Sequence, residues 1–164
     1  MSDVFPDRDM PQDEKIAWVV QTQGGCAEPV PADESRQHPP YTYTIGFESS
    51  YGHPEVLIVG LQPVAARGLM SMMAEHLVAG GELPVGVFAG LLDNGLRSAL
   101  LPLDLSVHSA AFPGAATFHG ERPWRVEQFV WPDKQGLLPW EDGYEERLRL
   151  AQPVLGSLDA LDDD

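Results

Sequence analysis

The sequence predicts an α+β fold, a single domain with a mainly antiparallel sheet and one main amphipathic helix packed on one face. Three observations lead to it. Two β-type apolar runs, 42–47 and 55–61, flank a short polar loop; a segment of helical period, 63–79, is bracketed by Pro63 and Gly80–Gly81; and residues 124–131 alternate in strand fashion. At 164 residues with 43% hydrophobic content, the chain can bury one core without a covalent staple.

Along the chain, the opening residues are polar and carry Pro6 and Pro11, a loose acidic lead-in over 1–15. IAWVVQTQ, 16–23, is rich in β formers and reads as a first strand ended by Gly24–Gly25. CAEPVPADESRQHPP, 26–40, has repeated prolines and no periodicity and reads as a long surface loop. TYTIGF, 42–47, is the second strand, and Gly46 within it marks a bulge or a close approach by another group. EVLIVGL, 55–61, is apolar almost throughout, as expected of a central strand covered on both faces.

In the helix 63–79, Ala65, Leu69, Met72, Met73, His76 and Leu77 fall on one face and are expected to cover the sheet, with His76 at the edge of the core. Residues 82–96 are ambiguous, with Asn94–Gly95 as a turn able to join two short strands. Residues 97–105 read as a strand interrupted by Pro102 and so near an edge. VHSAAFPGAATFHG reads as a broken helix lying over the core. In 124–131, Trp124, Val126, Gln128 and Val130 face one way and Arg125, Glu127, Phe129 and Trp131 the other. A short helix precedes Pro153, the domain is expected to span 16–154, and 155–164 reads as an acidic tail.

Composition excludes several classes. The net charge of −15, with ten bases scattered among 25 acids, leaves no basic face for nucleic acid or an anionic membrane. The single cysteine, Cys26, excludes an internal disulfide and thiolate-only zinc sites, which fits a reducing cytoplasm. No signal-type N-terminus and no apolar run of membrane-spanning length occurs. No serine elbow, Walker loop or dinucleotide glycine fingerprint is present, so the residues name no cofactor and do not decide between an enzyme and a binding protein.

The candidate chemistry lies in the loop after Gly52. Residues two apart in extended chain share a face, so His53 and Glu55 are expected to project together, as a base with its orienting partner or as the start of a ligand set. Asp133 is the expected carboxylate partner; His76, His108 and His119 are further groups, none at a diagnostic metal spacing. The plainer reading is that His53 and Glu55 hold the start of a strand by hydrogen bonds. Tyr43, Tyr51, Gln128, Trp131 and Trp140 are the expected lining of a pocket, against the alternative that aromatics at strand ends cap a core. Trp131–Pro132–Asp133 resembles the mobile loop of protein tyrosine phosphatases, but their arginine is missing after Cys26, where Ala32 stands, and Asp133 reads better as a turn former.

Taken together, YTIGF, YGHPEVLIVGL, the helix ended by a glycine pair, VEQFVWPDKQGLLPWE and AQP resemble the bacterial proteins grouped as the domain of unknown function 4262 family, over roughly residues 16–154. The motif positions are Tyr43, Thr44, Gly46, His53, Pro54, Glu55, Gly60, Gln128, Trp131, Pro132, Asp133, Gly136, Pro139 and Trp140. The resemblance implies a single α+β domain in a bacterial cytoplasm and assigns no catalytic role. The functional expectation is a small-molecule pocket where the GHPE loop meets the WPD segment. The alternatives are a non-catalytic acidic or immunity-like protein that docks a partner protein, and a flavin or nucleotide held on a small barrel.

Overall fold

EVLIV is buried at every position, and the sheet is built around it. Val56, Leu57, Ile58 and Val59 each gain about 1.5–3 kcal/mol from leaving water. The computed structural model describes residues 12–35, 38–92 and 95–161. Strands β1 (Cys26–Val30), β2 (Tyr41–Ile45), β3 (Glu55–Val59), β4 (Gly86–Ala89), β5 (Arg97–Pro102) and β6 (Val126–Val130) form one sheet in the order β1-β2-β3-β6-β5-β4. Every neighbouring pair is antiparallel except β3 and β6, which run parallel with Glu55 opposite Val126. The α+β class with a mostly antiparallel sheet is therefore as the sequence predicts. Among the described residues the sheet is open, with β1 and β4 at its edges.

Helices α1 (Gln12–Gln23), α2 (Phe47–Tyr51), α3 (Pro63–Val78), α4 (Leu105–His108), α5 (Pro113–His119) and α6 (Leu148–Ala151) complete the domain. The main helix, α3, packs Ala66, Met70 and Met73 onto Val56, Ile58, Leu100 and Phe129. The opposite face is covered by Ile16 and Val20 of α1 and Ala115 of α5, packed with Tyr43, Ile45, Leu57 and Val126. A third cluster, Ala99, Leu101, Val130 and Leu138, closes the far end.

The differences from expectation have local causes. Residues 16–23 belong to helix α1 and not to a strand, because Ile16 and Val20, one helical turn apart, are buried together while Ala17 is exposed. The first strand is instead β1, inside the segment expected to be loop; it tolerates Pro29 because it is an edge strand. On α3 the buried stripe is turned from the one expected: Ala65, Met72 and His76 are exposed, and His76 Nε2 meets the Glu82 carbonyl at 2.9 Å. β5 lies beside the edge strand β4, with β6 on its other side, and Pro102 ends it. β4 and β5 do pair as expected, although Asn94 of the turn lies outside the described residues, as do most of the lead-in and residues 162–164 of the tail. Gly46 is a close approach: at φ 114°, an added Cβ would lie 2.9 Å from the Val20 methyls. No helix among the described residues is long and apolar enough to cross a membrane.

Candidate functional site

Glu55 opens β3 with no exposed surface, and everything polar around it donates to it. Thr44 Oγ1 donates at 2.8 Å, the Gly46 and Phe47 N–H groups at 2.9 and 3.0 Å, and the Glu48 N–H at 3.5 Å. His119 Nε2, at the end of α5, closes the shell at 2.7 Å and is itself stacked on Trp124. The carboxylate thus satisfies the free N–H groups at the start of α2, a turn whose Gly46 has no side chain to cap it. Burying this charge is sustained only because it is fully paired.

His53 takes a different partner. Its Nδ1 lies 2.7 Å from the Pro54 carbonyl oxygen, which only accepts, so Nδ1 carries the hydrogen. Nε2 then faces Glu127 Oε1 at 3.7 Å, and neither atom has another partner. The contact is favourable only with a proton on one of the two. Glu127 titrates above its ordinary value because burial disfavours its charge; His53 and Arg125 pull it down and Glu48 pushes it up. Arg125 is in turn bound by Glu48 at 2.7 Å.

Asp133 does not join this end of the sheet. Because β3 and β6 run parallel with Glu55 opposite Val126, Asp133 comes three residues after the C-terminal end of β6, whereas His53 and Glu55 stand at the start of β3. The sheet thus sets the GHPE loop and the WPD segment at opposite ends of two neighbouring strands. Asp133 instead organises its own loop, accepting from the N–H groups of Gln135 and Leu137 at 2.9 Å and of Glu145 at 3.1 Å. Burial pulls its pKa up, but the N–H donors of Leu137, Glu145, Gln135 and Gly136 outweigh it and hold the carboxyl below its usual range.

The expected pocket residues are also divided. Tyr43 is 1% exposed, a core ring edge-on to Phe112 whose hydroxyl accepts from the Gly114 N–H. Gln128 ties down the C-terminal segment: Nε2 donates to the Pro153 carbonyl, and Oε1 accepts from Leu155 and Gly156. Trp131 has its main-chain N–H and C=O both matched by the Gln152 side chain, and its indole N–H donates to the Val59 carbonyl. Trp140 packs at the far end beside Gln152 and Val154.

Tyr51 alone of the five faces the cleft near the Glu55 end. This cleft, about 340 Å³, lies between α1, β1 and α3 and is walled by Phe47, Tyr51, Met70 and Ala74, with Thr44, Cys26 and Arg67 as its main polar groups. Burial, then Glu28 and Glu55, push the Cys26 thiol up to about 11, so the neutral thiol is its form near pH 7. A more apolar hollow of about 470 Å³ lies beside Tyr41, Leu57, Val59, Ala111 and Leu155. Among the described residues no group of three His, Cys, Asp or Glu side chains is placed to hold a metal ion.

Sequence reasoning missed Glu127 as the partner of His53 and Arg67 in the cleft, and named His119 only as a remote metal ligand. One signal was present: a glutamate on the strand face shared with Phe129 needs a polar partner if that face is buried. No curated protein and no solved structure matches the chain. Residues 19–145 match the model of the domain of unknown function DUF4262, and the chain belongs to that family.

Proposed function

We propose that the protein binds a small organic molecule in the cleft beside α2, at the end of the sheet where the GHPE loop lies. The observation that carries this reading is the cleft itself, about 340 Å³ in volume, with aromatic and aliphatic walls and Cys26, Arg67 and Ser71 among its lining. The GHPE glutamate serves it indirectly: Glu55 fixes the start of α2, and α2 presents Phe47 and Tyr51 to the cleft. In this reading Glu55 is a positioning residue, and His53 with Glu127 secures the end of the same wall. The WPD segment is scaffold.

A ligand-observed NMR screen of small organic molecules against the whole protein tests this. Ser71 is exposed and lines the cleft, so Ser71→Trp fills the opening without touching the core. Hits that bind the protein and are lost in Ser71→Trp are expected; hits that bind both equally sink the reading.

A second reading, an acidic protein that docks a basic partner, is favoured by the net charge of −15. Its signature is complex formation that weakens steeply as salt rises; association indifferent to salt counts against it.

A further inference from the structure

Among the arginines of the described residues, Arg67 stands apart. Arg97 is paired with Glu141, Arg125 with Glu48, Arg147 with Glu145 and Arg149 with Glu146. Arg122 donates to the carbonyls of His119 and Phe118. No hydrogen bond or ion pair reaches Arg67 among the described residues, and it lies on the wall of the cleft beside Met70, Ser71 and Ala74. In a chain this acidic, a bulk anion is repelled, so an exposed guanidinium left unpaired at the mouth of the cleft is a local exception to the surrounding field.

The same surroundings limit the charge the cleft can take. Glu28, on the edge strand β1, is the carboxylate that Arg67 acts upon; burial raises its pKa and Arg67 draws it back. Glu28 and Glu55 both act on Cys26 in the cleft. One cation therefore faces nearby negative charge, and a ligand bearing two negative charges would have its second one unmatched. The neutral Cys26 thiol adds to the apolar wall.

We propose, resting on the reading of this cleft as the ligand site, that its ligand is a small organic monocarboxylate whose carboxylate is held by Arg67 and whose apolar body lies against Met70, Phe47 and Tyr51. A guanidinium offers two parallel N–H donors to a carboxylate, a match that a neutral amide of the same shape lacks. Tyr51 is set for its part: its hydroxyl occupies the space that a side chain at Gly24 would need, which fixes the ring between the end of α1 and α2.

The experiment compares 2-naphthoate, 2-naphthamide and 2-naphthyl phosphate by titration calorimetry on the whole protein, with Arg67→Gln, Glu28→Gln and Ser71→Trp as variants. Naphthoate is expected to bind about tenfold tighter than naphthamide, and Arg67→Gln to bring the two within about twofold. Naphthyl phosphate is expected to bind more weakly than naphthoate and to gain more from Glu28→Gln. Ser71→Trp is expected to lose all three at an unchanged unfolding temperature. If naphthamide binds as tightly as naphthoate, or Arg67→Gln leaves their ratio as it was, the carboxylate assignment is overturned and the cleft stands. If phosphate outbinds carboxylate, the limit to one charge is overturned. If no probe binds, or Ser71→Trp binds them unchanged, the cleft reading falls and the assignment with it.

Discussion

A carboxylate with no exposed surface persists at position 55 because each of its neighbours is a donor, so its burial is repaid at the start of α2 and at His119. Glu55→Ala is expected to strand two backbone N–H groups and the His119 ring together, at a cost of about 3–5 kcal/mol in urea unfolding. A loss below about 1 kcal/mol would mean that water replaces the carboxylate. Glu127 gives the opposite sign. An acid whose folded pKa is raised keeps its proton longer in the folded chain, so its contribution is most favourable below the ordinary value of 4.5 and declines as pH climbs from there to the raised folded value. His53, Arg125 and Glu48 are the charged or titratable groups that act on it. Glu127→Gln, able to donate to His53 Nε2, is expected to gain stability relative to the parent across that window; unfolding midpoints on a pH series read the difference, and a constant offset would exclude the pair as its source. His53 and Glu55 were legible as polar residues at a buried strand, but their partners were not, since His119 and Glu127 come from elements far along the chain.

At the scale of elements, the cleanest sequence signals became β3, α3 and β6, each with a period that its own backbone geometry imposes. Weak signals failed where packing had the decision. IAWVVQTQ satisfies strand composition, yet its Ile16 and Val20 have a core to fill only as a helix. The 26–30 segment looked like loop because prolines hide an edge strand. The WPD motif looked like part of a site and is the anchor of a strap: Gln152 answers Trp131 as a neighbouring strand would, and Gln128 holds residues 153–156. Gln152→Ala is expected to cost about 1–3 kcal/mol, leaving buried main-chain groups unpartnered, and to shift tryptophan emission to the red as Trp131 meets water. Unchanged emission would show that the indole contact with the Val59 carbonyl suffices to hold the ring.

For the whole molecule, the charge of −15 must weigh against compactness, while the ion pairs are largely at the surface, where each contributes little. Salt that screens beyond about 10 Å at 0.1 M is therefore expected to raise the unfolding temperature. A fall on adding sodium chloride would mean that the ion pairs outweigh the self-repulsion. The sheet order also places the two halves of the motif pair, GHPE and WPD, at opposite ends of two parallel strands, so they share a sheet without sharing a site.

The sequence by itself determined the α+β class, the buried central strand, the main helix with its Pro63 start and glycine stop, and the family, because periodicity and turn chemistry act between residues a few positions apart. Only the tertiary structure decided which carboxylate meets which histidine and which residues wall the cleft. The parallel pairing of β3 with β6 and the return of α5 to Glu55 across 64 positions are set by how the core closes, and no local pattern encodes them.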